Sequence, residues 1–129
     1  MTIEATWKAA QGSTVCALNN GTAQWRADLE AEYGGDAAIP NPHDLLDSAL
    51  AACTALTLQV YAKRKSYDLQ AVRVTVRHEE AAGQYKLVRT VEVEGELSPQ
   101  VRDDLLRVAN KCPVHKSLSA QISVETSLV

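Results

Sequence analysis

Apolar and polar residues alternate through the first third of the chain. Ile3, Ala5 and Trp7 share one face of an extended segment, and Val15 with Ala17 marks a second short run. Ala23, Trp25, Ala27 and Leu29 then alternate with Gln24, Arg26, Asp28 and Glu30. A period of two is the mark of a half-buried strand. Gln11-Gly12-Ser13 and Asn19-Asn20-Gly21 punctuate the runs, and Asn and Gly accept the positive φ that tight hairpins need. The pattern predicts a three-strand antiparallel meander.

After Gly34-Gly35-Asp36 the period changes. Asn41 suits a helix N-cap, Pro42 the first helical position, and Asp44 the first turn, where a carboxylate is favoured. Leu46, Ala49, Leu50, Cys53, Leu56 and Val60 then form a stripe at helical spacing, while Leu45, Ala52, Ala55 and Leu58 are apolar on other faces. A helix apolar almost all round is expected to be buried. Lys63, Arg64 and Lys65 close it at the negative end of its dipole.

Val72, Val74 and Val76 alternate with Arg73, Thr75 and Arg77, and Ala82-Gly83-Gln84 turns the chain back into a strand with Leu87, Val91 and Val93. Ser98-Pro99 opens a second helix carrying Val101, Leu105 and Val108, ending near Cys112-Pro113. A last strand is expected through Ile122 and Val124. The order βββ-α-ββ-α-β is an α+β domain, expected to occupy residues 1–129 as one unit. The central helix needs cover on more sides than one small sheet offers, so a dimer is expected.

With 129 residues, 46% hydrophobic and 22% charged, the composition is that of a globular domain and excludes disorder. A net charge of -3 offers no basic field for nucleic acid or an anionic membrane. The apolar stretch between Asp47 and Lys63 is broken by Ser48, Thr54, Thr57 and Gln59 and is short for a bilayer span. The opening Met-Thr-Ile-Glu-Ala-Thr-Trp carries neither the basic nor the apolar part of a secretory signal, so the cytoplasm is the expected compartment.

Three cysteines, Cys16, Cys53 and Cys112, make an odd count that points to reduced thiols. Cys53, among Ala51, Ala52, Thr54 and Ala55, reads either as a small buried hydrophobe or as a thiol activated by a cation from elsewhere in the fold. Cys112 stands in Lys111-Cys112-Pro113-Val114-His115-Lys116, an electropositive stretch that would lower its pKa. Pro113 either ends one helix or starts a following turn, and in the second case Cys112 sits at an N-terminus. His43 precedes Cys53 by three helical turns, about 15 Å along the axis, so the two cannot pair directly within that helix. Cys53, Cys112, His43 and His115 lack any zinc-ligand spacing, and no metal or cofactor is expected. Cys16 is expected to be a packing residue.

Asn41-Pro42-His43-Asp44-Leu45-Leu46, Ala51-Ala52-Cys53-Thr54-Ala55 and the later Cys112-Pro113 together resemble the OsmC/Ohr family, the osmotically inducible and organic hydroperoxide resistance proteins. The resemblance spans essentially the whole chain. It implies an intertwined homodimer acting as a thiol peroxidase on organic hydroperoxides. Cys53 would be the peroxidatic thiol, Cys112 the resolving one, and a dithiol the reductant. The family's glutamate after Asn-Pro is replaced here by His43, followed by Asp44. The family also uses a meander arginine to stabilise the thiolate; the cations in this meander are Lys8 and Arg26, neither in an equivalent of that motif, and Arg26 stands with His43, Asp44 and His115 as a candidate supporting residue. The alternative is a small-ligand-binding or stress-associated protein on the same fold, in which the cysteines pack or are inherited.

Overall fold

The computed structural model describes residues 2–129, and the chain falls into two units, one ending at Leu46 and one spanning Asp47–Val129. The first unit holds strands β1 (Glu4–Thr6), β2 (Cys16–Asn19) and β3 (Gln24–Ala27), paired antiparallel in the order β1-β2-β3. Cys16 pairs with Ala27 and Leu18 with Trp25. The β2–β3 turn forms at the expected Asn19-Asn20-Gly21. The Asn20 carboxamide accepts from the backbone N–H groups of Thr22 and Ala23, and Gly21 takes a φ of 96°. The strands are shorter than the alternation suggests. Leu29 is exposed beyond β3, because Asp28 turns the chain by accepting hydrogen bonds from Thr14 Oγ1 and from the Leu29 and Asp36 N–H groups.

Helix α1 covers Pro42–Lys65 and begins where Asn41 predicts. Asn41 Oδ1 accepts from the Asp44 N–H at 2.9 Å, and Asp44 Oδ2 accepts from the Asn41 N–H at 3.1 Å. This reciprocal pair satisfies two backbone donors that a helix start would otherwise leave open.

The second unit carries the hairpin β4 (Ala71–Ala81) and β5 (Gln84–Glu94), then α2 (Pro99–Ala109) and α3 (Pro113–Ser119). Its two strands pair over their full length from Ala81↔Gln84 to Ala71↔Glu94. The two-residue turn contains Gly83 at a φ of 74°. Val72, Val74 and Val76 on β4 lie opposite Val93, Val91 and Arg89 on β5, so a single cation stands in an apolar row. Ser98 caps α2 by accepting from the Val101 N–H, with Pro99 at the first position. Leu58 and Ala62 of α1 and Leu105, Val108 and Ala109 of α2 form the core, with Val72, Val91 and Val93 of the hairpin packed against it. This burial is the main stabilising term.

Two expectations are corrected. Helix α1 buries only the stripe Leu50, Thr54, Leu58 and Ala62, while Leu46, Leu56 and Val60 are exposed. A helix of Ala and Leu on every side has no period to single out a face, so the stripe drawn through Cys53 was one of several equally apolar choices. The last strand does not form: residues 121–129 have no regular structure, and Ile122 and Val124 are exposed. Two apolar positions bury too little to hold a strand without a neighbouring edge, and no described strand pairs with them. In place of that strand stands α3, the outcome in which Pro113 starts a new turn of helix.

Candidate active site

The chemistry collects in the second unit, where α1, β5, the end of α2 and the start of α3 meet around one sulfur. Cys112 is fully buried and is the N-cap of α3. Its backbone is extended, Pro113 follows at the first helical position, and Sγ accepts from the His115 N–H at 3.3 Å. A thiol thus does what Ser or Asp does at most helix starts. From α1, Thr54 Oγ1 approaches Sγ to 3.8 Å while donating to the Leu50 carbonyl at 2.7 Å. Cys53, next to Thr54, is half-buried, and its thiol is among the groups that lower the pKa of Cys112. Both cysteines are free thiols.

The cation of the site is Arg89, which sequence reasoning missed. Its Nη1 donates to Thr54 Oγ1 at 3.0 Å and reaches Cys112 Sγ at 3.9 Å. Its Nη2 donates to Asn110 Oδ1 at 3.0 Å and meets His115 Nδ1 at 3.0 Å. A guanidinium only donates, so His115 Nδ1 accepts and the ring proton lies on Nε2. Each partner of Arg89 is neutral or is the thiol itself, and no carboxylate among the described residues pairs with it.

Burial pushes the Cys112 thiol up, but four influences oppose it. These are the His115 N–H, the Thr54 hydroxyl, the Cys53 thiol and the Arg89 charge, and the net shift is downward. Hydrogen bonds to the charged form and a nearby cation outweigh desolvation here. Beside this cluster opens a cavity of about 450 Å³. Leu50, Leu87, Leu106 and Leu118 give it apolar walls, and Arg89, Asn110 and His115 give it a polar side.

Of the residues the sequence singled out, the structure brings together Cys53, Cys112 and His115. The other three belong to the first unit. Asp44 completes the cap of α1, His43 is exposed in its first turn, and Arg26 is exposed on β3 opposite Ala17. Among the described residues no three His, Cys, Asp or Glu side chains gather as metal ligands would.

A family model for OsmC-like protein matches residues 34–127, nearly three-quarters of the chain, with both cysteine motifs inside it. The chain belongs to the OsmC-like family. Solved OsmC-like structures share the fold. An OsmC-like protein from Mycoplasma pneumoniae superposes with a TM-score of 0.76 at 19% identity, over 92% of this chain and 86% of the other. The organic hydroperoxide resistance protein OsmC from Legionella pneumophila gives 0.67 at 19%, over 91% and 87%. The organic hydroperoxide resistance protein OhrB of Bacillus subtilis gives 0.60 at 19%, over 90% and 87%. No curated protein matches the chain.

Within this OsmC-like chain the signal for Arg89 was present in the alternation. Positions 85, 87, 89, 91 and 93 form the inward row of β5, as Tyr85, Leu87, Val91 and Val93 show, and a cation at the middle of such a row needs a buried acceptor. Thr54 carries the same kind of signal as the one polar member of the buried stripe of α1.

Proposed function

We propose that this OsmC-like protein is a cysteine-based thiol peroxidase that reduces organic hydroperoxides with Cys53 and Cys112. The observation that carries the reading is the buried Cys112 sulfur 3.9 Å from the Arg89 guanidinium and 3.8 Å from Thr54, the residue that follows Cys53 on α1. The Cys53 thiolate attacks the distal oxygen of the hydroperoxide, the O–O bond breaks, and the products are Cys53 sulfenic acid and an alkoxide that takes a proton to become the alcohol. Cys112 then attacks the sulfenic sulfur, expelling hydroxide, which is protonated to water, and forming the disulfide. A dithiol restores both thiols by exchange.

The exposures of the two sulfurs support these roles. Cys53 is half-buried and can be approached, whereas Cys112 is fully enclosed. The leucine-walled cavity beside Arg89 and His115 would favour an organic substrate, because each methylene buried there adds about 0.8 kcal/mol that hydrogen peroxide lacks. The chain would act as a homodimer, with a second copy covering Leu56 and Val60 of α1, and three free thiols suit a reducing cytoplasm.

The test is consumption of an alkyl hydroperoxide with a dithiol as reductant. Wild type should outpace its own rate on hydrogen peroxide and yield a Cys53–Cys112 disulfide on mass spectrometry. Cys53→Ser should be inactive, and Cys112→Ser should stop at the sulfenic acid. Turnover by Cys53→Ser at the wild-type rate overturns the reading.

A further inference from the structure

We propose that His115 binds the oxygen of an organic molecule lodged in the leucine-walled cavity, through an Nε2–H that Arg89 fixes in place. That the molecule is a hydroperoxide, or its alcohol product, rests on the peroxidase reading above. The binding of an oxygen acceptor stands without it.

Most polar groups of the cavity wall serve one another. Arg89 Nη1 faces Thr54 Oγ1 at 3.0 Å and Cys112 Sγ at 3.9 Å, and Nη2 faces Asn110 Oδ1 and His115 Nδ1, both at 3.0 Å. Asn110 is engaged at both ends of its carboxamide, since Nδ2 donates to the Leu106 carbonyl at 3.3 Å. Tyr85, farther along β5, donates its hydroxyl hydrogen to Asp47 at 2.7 Å. His115 is different. It is half-buried and lines the cavity, and while Nδ1 meets Arg89, Nε2 has no partner among the described residues.

Arg89 decides which ring nitrogen carries the hydrogen. A guanidinium has no acceptor, so Nδ1 presents its lone pair and the hydrogen is on Nε2. The residue is held twice, through Nδ1 and through its backbone N–H, which donates to Cys112 Sγ at 3.3 Å. A donor held in this way loses little freedom when a ligand arrives, which favours binding. The neighbouring walls select the ligand. Leu50, Leu87, Leu106 and Leu118 cover an apolar body, and the ring offers its end one hydrogen. An alkyl chain ending in an oxygen acceptor matches both.

The same arrangement selects which oxygen of a hydroperoxide is bound. The leucines cover the alkyl group, so the oxygen bonded to carbon is the one brought to the ring. When sulfur takes the distal oxygen, the electron pair of the O–O bond passes to that carbon-bound oxygen. A hydrogen bond there stabilises the charge as it forms. The imidazole keeps its hydrogen throughout, and solvent supplies the proton that turns the alkoxide into the alcohol. Hydrogen peroxide has no alkyl group to seat and gains least from the ring.

The experiment pairs two replacements that each keep one side of the imidazole. His115→Asn retains an oxygen acceptor for Arg89 and has nothing where Nε2 stood, whereas His115→Gln retains an N–H close to that place. Circular dichroism confirms the fold of each variant. In wild type, imidazole nitrogen NMR correlations should show the Nε2–H tautomer, and Arg89→Met should populate both tautomers. The probes are n-octanol and n-octyl chloride, similar in size but with and without an oxygen. Octanol should shift the Nε2–H resonance and bind about fivefold more tightly than the chloride, the contribution of one neutral hydrogen bond. His115→Gln should keep that preference, and His115→Asn should lose it together with about a hundredfold in kcat on an alkyl hydroperoxide.

A purely structural His115 predicts the reverse order, because His115→Asn preserves the bond to Arg89. That order overturns the proposal, as does an Nδ1–H tautomer in wild type or an octanol preference unchanged in His115→Asn. If octanol binds as expected but wild type consumes no hydroperoxide, the peroxidase reading fails and the binding role of His115 stands.

Discussion

Arg89 reaches Cys112 from the middle of a β-strand, with Nη1 3.9 Å from Sγ and the same nitrogen bonded to Thr54 at 3.0 Å. The threonine hydroxyl therefore anchors the guanidinium as well as facing the sulfur. Thr54→Val keeps the shape of the side chain and removes its acceptor, leaving a half-buried N–H of Arg89 without its partner. The expected loss of stability is about 1–3 kcal/mol, read from a urea midpoint. The thiolate titration of Cys112 should move upward in the same variant, and an unchanged titration would show that Thr54 does not orient the cation.

Asp104 gathers Tyr61, Tyr67 and Arg107 around one carboxylate, with both tyrosine hydroxyls donating at 2.7 Å. The Tyr67 hydroxyl is pushed up to about 12, first by its bond to Asp104 and then by burial. A phenol whose pKa is higher in the folded than in the unfolded chain contributes stability that is fully present below about 10 and lost as pH rises towards about 12. Wild type should therefore lose stability steeply between pH about 10 and about 12 in denaturant titrations. Tyr67→Phe should flatten that slope, and an equal slope in both would exclude Tyr67 as its source.

The same carboxylate acts in the opposite pH range. Tyr67, Arg107 and Tyr61 hold Asp104 well below the usual carboxylate range. A depressed folded pKa contributes stability that is present above the unfolded value of about 4 and lost as pH falls further. Asp104→Asn should unfold with a midpoint that varies less over pH about 2–4 than that of wild type.

Gly95 follows β5 with a φ of 142°, and a Cβ there would lie 1.8 Å from the Asp68 carbonyl oxygen. Neither the conformation nor the space admits a side chain. Gly95→Ala should cost well over the roughly 0.5 kcal/mol of an ordinary surface change, because the backbone of Asp68 must move. A melting temperature within a degree or so of wild type would contradict this.

At the head of α1, Asn41→Ala removes one half of the reciprocal cap with Asp44. About 1 kcal/mol of stability should be lost, with Asn41→Asp losing much less. Equal destabilisation by both substitutions would argue against capping as the cause.

Local chemistry was the most legible part of the fold. Asn41-Pro42, Ser98-Pro99, Asn19-Asn20-Gly21 and Ala82-Gly83 each act through their own backbone or through neighbours a few residues away, and each forms where the sequence places it. What failed was decided at longer range. The buried face of α1 depends on what packs against it, and its Ala- and Leu-rich surface holds no preference of its own. The strand through Ile122 and Val124 needed an edge that lies outside the segment. In the site, Cys53, Cys112 and His115 were visible from their motifs, whereas Arg89 and Thr54 belong to no motif and become chemical only by cross-chain approach. Both were marked by polarity at inward positions, a signal that appears once strand register and helix face are known.

That register has one author in the chain, Gly83. Its two-residue turn sets Ala81 against Gln84, and every later pair up to Val76↔Arg89 inherits the choice. Side chains on a strand change sides with each step, so sliding β5 by a single position would swing the guanidinium out to solvent and bring Val88 or Thr90 inward. A residue inserted between Ala82 and Gly83 would therefore empty the sulfur pocket of its charge without altering any amino acid that lines it.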